Sequence, residues 1–168
     1  MNLFNRRWAA VCAAIAALQL FGAGPVMAQA DSPDAKALAE YRLTDEGVEN
    51  FTKASRNLIA AFKADPGLGQ AMEGSDNATI AETAAAYDAQ PAVRKAIESA
   101  DMTSKEYITF MYSMFQAGLA GWLVEEYGQT ELPEGTPREN VDYYLAHKEE
   151  LAALSAELQE LSGEAEAE

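Results

Sequence analysis

The sequence predicts an all-α protein, a bundle of four to six helices with two long helices, which follows a cleaved signal peptide. Three observations predict this fold class. Apolar residues recur three and four positions apart in several segments, which is the spacing of one face of an α-helix. Residue types that begin or end helices, such as Thr, Pro and Gly, separate these segments. No stretch alternates apolar and polar residues for long enough to indicate a β-strand.

Residues 1–30 have the layout of an export signal. Two adjacent arginines precede an uncharged apolar run at 9–26, and Ala28 and Ala30 are small enough for signal peptidase. We therefore expect cleavage after about Ala30 and a periplasmic or secreted protein. The arginine pair leaves two export routes open, the general route and the twin-arginine route.

The mature chain is expected to be strongly acidic and free of cysteine. Cleavage after Ala30 leaves 138 residues with 10 basic and 27 acidic side chains, a formal net charge of −17. The single cysteine, Cys12, lies in the signal, which excludes disulfides, thiolate metal sites and cysteine nucleophiles from the mature chain. Negative charge repels phosphate groups, so we expect no nucleic-acid partner.

We predict that the mature chain forms one helical domain at 31–162, followed by a disordered acidic tail at 163–168. A short helical patch at 35–41 comes first. A longer amphipathic helix begins after Thr44, whose side chain can cap its first turn. This helix ends at a loop, residues 66–78, which is rich in Gly, Asp and Asn.

Two short helices precede the central one. Thr79 caps the first of them, and Pro91 opens the second in the first helical turn, where proline is favoured. Thr103 and Glu106 have the T-x-x-E spacing of a capping box. This box predicts a long central helix at about 104–127.

The last helix is predicted at about 137–161. Thr136 and Glu139 repeat the capping-box spacing, with Pro137 in the favoured first position. Heptad spacing along this helix places His147, the only histidine, on its buried seam.

A weak internal echo at an offset of 59 residues links the first half of the domain to the second. The recurring residues are Lys36, Ala37, Leu38, Leu43, Thr44 and Phe51, which are matched by Lys95, Ala96, Ile97, Met102, Thr103 and Phe110. Two related helical hairpins explain the echo, and so does shared capping chemistry, because an apolar residue before a Thr cap is common.

The central helix contains no charged residue from Tyr107 to Val124. A membrane span fits by length, but polar residues dilute the segment and we expect no stable span in the mature chain. A helix covered by protein on every face is a second interpretation. A helix that lines a ligand cavity is a third, because Ala117, Gly118 and Gly121 leave room beside it.

The cavity interpretation assigns large, adaptable side chains to the lining and three polar side chains on one face as anchors. The lining candidates are Tyr107, Phe110, Met111, Met114, Phe115 and Trp122, and the anchors are Thr109, Ser113 and Gln116.

His147 is the one candidate cofactor ligand. With Met111 or Met114 as the second axial ligand, the bundle would carry haem. A histidine that is hydrogen-bonded to a neighbour in the core is the competing interpretation. No zinc, di-iron or catalytic-serine motif accompanies His147, so we predict neither a metal site nor a catalytic residue.

The sequence therefore favours a soluble, non-enzymatic exported protein that binds an unidentified protein partner or a small apolar ligand. It is expected to need no cofactor and to be a monomer or a weak oligomer. Two alternatives stay open. One is the haem-carrying bundle, and the other is an enzyme that uses paired carboxylates, since 27 acidic residues allow many pairings.

Overall fold

The structure, a computed structural model, describes residues 32–68, 78–129 and 131–166, with side chains up to Ser162 in the last helix. Within these ranges the protein is all-α, as predicted, and contains no strand. The described residues form seven helices, more than the four to six that were predicted. They are α1 (Pro33–Glu40), α2 (Asp45–Ala64), α3 (Ile80–Asp88), α4 (Pro91–Glu98), α5 (Ser104–Tyr127), α6 (Arg138–Ala146) and α7 (Lys148–Glu166).

Threonine caps begin three of these helices. The Thr44 side chain caps α2, as predicted. Thr103 and Glu106 form the predicted capping box of α5, in which each side chain bonds the backbone amide at the other residue. A box of the same kind, formed by Thr79 and Glu82, opens α3, although only its cap was expected.

The predicted helix at about 137–161 is instead two helices, α6 and α7, and this prediction was wrong at His147. That residue has φ −111° and ψ 13°, outside the helical region. Its Nδ1 lies 2.9 Å from the Tyr143 carbonyl oxygen, which also accepts the His147 amide at 3.1 Å. The side chain thus competes with the backbone for one acceptor at the point where the helix breaks.

The start of α6 also differs from the prediction. Pro137 is the N-cap, and no side chain caps the first turn, so Thr136 and Glu139 do not form the expected box. The predicted signal peptide and most of the predicted loop lie outside the described residues. The domain boundaries stay predictions, and α7 extends to Glu166, four residues into the segment predicted as an acidic tail.

The centre of the bundle is the contact between α2 and α5. Phe51 stacks on both Tyr107 and Phe110, with ring centroids 4.9 and 4.7 Å apart. Beside this stack the Ser55 hydroxyl lies 3.1 Å from the Tyr107 hydroxyl. The other helices surround this pair, with α4 and α7 on α2 and with α3 and α6 on α5.

Two buried polar side chains join the elements around this centre to one another. The Asp34 carboxylate on α1 accepts the Ile80 amide at 3.0 Å, at the start of α3. The Asn140 side chain on α6 accepts the Leu43 amide at 2.9 Å and donates to the Tyr41 carbonyl at 3.1 Å. Each of these groups is satisfied, as buried polar groups require.

The internal echo corresponds to equivalent helix starts in the structure. Thr44 caps α2 and Thr103 caps α5, and the residue before each cap is buried. The matched rings Phe51 and Phe110 stack directly on each other. This arrangement is consistent with two related hairpins, α1–α2 and α4–α5, while shared capping chemistry accounts for the same caps.

Candidate functional site

The uncharged central helix, α5, is covered along its first half and partly open along its second. All seven residues from Tyr107 to Ser113 are buried. For this half, the interpretation as a helix covered by protein is correct. From Met114 onward most side chains are half-buried or exposed, and burial continues only at Ala117, Ala120 and Gly121.

The room beside the small residues of α5 is taken by α6, so the space expected there for a ligand is filled by protein. A Cβ atom on Gly118 would lie 3.1 Å from the Tyr144 ring. One on Gly121 would lie 3.2 Å from the Leu145 Cδ2 atom. Such distances are shorter than ordinary van der Waals contact, so these glycines allow the close approach of α6.

The three polar anchors proposed for a cavity differ in their bonding. The Thr109 hydroxyl donates to the Lys105 carbonyl of its own helix at 2.8 Å, a common arrangement for a helical threonine. The Ser113 Oγ and Gln116 Oε1 atoms are buried and have no hydrogen-bond partner. Of the three, Thr109 has no free donor to offer a ligand, because its hydroxyl hydrogen is already bonded within α5.

Among the lining candidates, Tyr107, Phe110 and Met111 are part of the hydrophobic core, and Met114 packs against it. Phe115 and Trp122 are half-buried farther along α5. Three of the six lining candidates are thus core residues, and the cavity itself stays a prediction.

We expect Ser113→Ala to stabilise the protein by about 1 kcal/mol, because it removes a buried hydroxyl that lacks a partner. Ser113 is 1% exposed. The matched control is Ser55→Ala, which removes a buried hydroxyl that does have a partner, Tyr107. We expect this control to destabilise the protein by about 1 kcal/mol. Urea unfolding followed by circular dichroism measures both, and two changes of the same sign would contradict the assignment.

The open half of α5 carries a continuous apolar ridge. The α5 ridge consists of Phe115, Leu119, Leu123 and Tyr127, spaced four residues apart. Leu119 is 46% and Tyr127 68% exposed, and they are the two exposed large hydrophobic residues among those described. One and two turns earlier in the same row, Met111 and Tyr107 are buried. The ridge therefore runs from the core into solvent.

An aromatic pair lies at the end of the α5 ridge, and several exposed acids lie at the end of α5 or follow it in the chain. Trp122 lies edge-on to Tyr127, with ring centroids 5.2 Å apart. Glu126, Glu131 and Glu134 are exposed at the end of α5 and in the loop after it. The end of the ridge is thus aromatic, and exposed glutamate side chains are close to it in sequence.

His147 lies at the junction of α6 and α7 and not on a buried seam, so that part of its prediction was wrong. Its side chain is 35% exposed, and its Nε2 lies 3.8 Å from the Asp45 carboxylate. The ring stacks on Tyr143, whose hydroxyl donates to the same carboxylate at 2.8 Å. The pKa of Tyr143 is raised to about 12, mainly by burial and then by the hydrogen bond to Asp45 and the negative charge of Asp45. This phenol therefore stays a donor at neutral pH.

The junction offers a shallow depression of about 430 Å³ lined by residues 145–150. Met111 is part of the core, and Met114 packs against it, whereas His147 lies at the edge of the bundle. In the ranges that the structure describes, no three His, Cys, Asp or Glu side chains are grouped so that they could hold a metal ion. Haem binding stays a prediction.

Comparison with known proteins adds no family. No family model matches the chain, and neither a curated protein nor a solved structure matches it. Among the described helices, none is long and apolar enough to cross a membrane, which agrees with the expectation for α5.

Proposed function

We propose that this is a non-enzymatic exported protein that binds a protein partner through the α5 ridge. The observation that carries the proposal is the exposure of Leu119 and Tyr127 on a helix without charged residues between Tyr107 and Val124. Contiguous apolar side chains exposed on a folded domain mark interaction sites, because their burial in a complex is favourable.

The composition of the ridge supports a protein partner. Aromatic residues are enriched at the core of protein interfaces, and two of the four ridge residues, Phe115 and Tyr127, are aromatic. Small apolar molecules prefer concave sites. The Tyr144 and Leu145 side chains fill the space expected beside Gly118 and Gly121, so the open part of α5 presents a ridge.

The positions of the carboxylates support an enzyme less than the α5 ridge supports a binding protein. Asp34 is the one buried acid among the described residues, and its carboxylate accepts the Ile80 amide. That bond gives Asp34 a structural role at the start of α3. Export is supported by the signal layout of residues 1–30.

The test is site-specific photo-crosslinking in the cell envelope of the native host. A photoreactive amino acid at Leu119 should give a discrete adduct with a second protein. The same amino acid at Ala60, an exposed residue on α2, should give none. Equal labelling at both positions, or no adduct at Leu119, would contradict the proposal.

A further inference from the structure

The geometry points to a basic amphipathic helix as the partner of the α5 ridge. In this arrangement, the apolar face of the partner helix packs along Phe115 to Tyr127, and its Lys and Arg side chains face the acids around the end of α5. The inference rests on the proposed function, because it names the partner of the same surface.

The shape of the ridge favours a helix as the occupant. Side chains four residues apart form the rows that pack into the grooves of a second helix. The ridge extends over twelve residue steps of α5, about 18 Å, which a partner helix of about three to four turns covers. On another face of the same segment, α6 already packs closely against Gly118 and Gly121. This part of α5 therefore already packs closely against one neighbouring helix.

The charge around the ridge favours a basic partner. Glu126, Glu131 and Glu134 are exposed, and the structure gives them no ion pair within the described residues. The nearby cation Lys148 is already engaged, since its Nζ lies 2.7 Å from Glu125. A mature chain with 10 basic and 27 acidic residues adds a long-range attraction for cations.

The same charge argues against the other occupants. A second copy of the chain would bring its own acids against these acids, and like charges in an interface are unfavourable. Anionic lipid surfaces are repelled for the same reason. An apolar ridge on a strongly acidic chain, with exposed acids at and just after the end of α5, is therefore complementary to a cationic amphipathic helix.

Trp122 provides a direct readout, because it is the only tryptophan after residue 30 and lies against Tyr127. The probes are three synthetic peptides of about 18 residues, long enough to cover the ridge. The first carries a leucine face and lysines elsewhere. The second has glutamates in place of the lysines, and the third has the composition of the first in scrambled order. Each is titrated into the mature protein while Trp122 fluorescence is recorded.

We expect the lysine peptide to shift Trp122 emission to the blue and to bind at least about tenfold more tightly than either control peptide. Added salt should weaken its binding, since part of the attraction is between exposed charges. Leu119→Gln should weaken binding about tenfold or more, as loss of a central interface residue does. Ala60→Gln should leave binding unchanged, and circular dichroism checks that both variants fold.

The acids are tested separately with the double variant Glu131→Gln and Glu134→Gln. It should lower the affinity for the lysine peptide a few-fold and reduce the salt dependence. Affinity and salt dependence equal to those of the unmodified protein would overturn the role of these acids and, with it, the basic partner.

Four other results would overturn the inference. They are equal binding of the three peptides, equal loss in Leu119→Gln and Ala60→Gln, a Trp122 shift with phosphatidylglycerol vesicles, and a dimer that Leu119→Gln dissociates. If the lysine peptide fails to bind while crosslinking at Leu119 still gives a discrete adduct, the basic partner is wrong and the proposed function stands. If both fail, both are wrong.

Discussion

Replacing Phe110 by alanine is expected to destabilise the protein by about 3–5 kcal/mol, the range for deleting a buried aromatic side chain. Phe110 is fully buried between the two central helices. Its ring stacks on Phe51 at 4.7 Å and meets Tyr41 edge-on at 6.3 Å. Truncation would remove both ring contacts and leave a cavity at the point where α1, α2 and α5 meet.

The matched control for this prediction is Phe115→Ala, the same substitution five residues later on the same helix. Phe115 is half-buried on the α5 ridge, so we expect Phe115→Ala to lower the free energy of unfolding by about 1 kcal/mol. Urea unfolding of the mature forms, followed by circular dichroism, gives both free energies. Equal losses would show that the two halves of α5 are equally buried, against the structure.

The second large effect is expected for Asn140→Ala, at about 2–3 kcal/mol. The Asn140 side chain pairs with the Leu43 amide and the Tyr41 carbonyl. Its removal leaves both backbone groups without this partner, and an unpaired buried polar group costs about 1–3 kcal/mol. The substitution should also loosen α6 from the turn between α1 and α2.

Asn57→Ala is the control for the loss of an asparagine with two bonds. The Asn57 amide donates to the Ala96 carbonyl at 3.1 Å and to the Ser99 hydroxyl at 3.0 Å. This side chain is half-buried, and water can replace it, so we expect a loss of about 1 kcal/mol or less. Thermal unfolding ranks the two variants, and a larger loss in Asn57→Ala would contradict the role given to Asn140.

Local sequence signals were sufficient for most helix starts. Thr44, Thr79 and Thr103 cap the helices they were expected to cap, because a cap involves residues within one turn of each other. The break at His147 could not be predicted in this way. The His147 ring stacks on Tyr143, whose hydroxyl bonds Asp45, 98 residues earlier in the chain. Periodicity carries no information about such a contact.

The candidate site was predicted only in part. The absence of charge between Tyr107 and Val124 correctly identified a helix that is buried through Ser113. Which face stays open depends on where the neighbouring helices end, and spacing alone does not give this. Gly118 and Gly121 suggested room for a ligand, because a glycine looks the same in sequence whether a ligand or a second helix approaches it. The large side chains of Tyr144 and Leu145 were the sequence signal that a second helix, and not a ligand, approaches these glycines.

The Phe51–Phe110 stack also bears on the order in which the parts of the chain can fold. The two rings are 59 positions apart in sequence, so the contact between them closes a long stretch of polypeptide. Neither α2 nor α5 gains this partner before that stretch has been synthesised. If the precursor follows the general export route, which carries unfolded chains, α2 and α5 would stay apart until Phe110 has crossed the membrane, and the stack would form only after translocation.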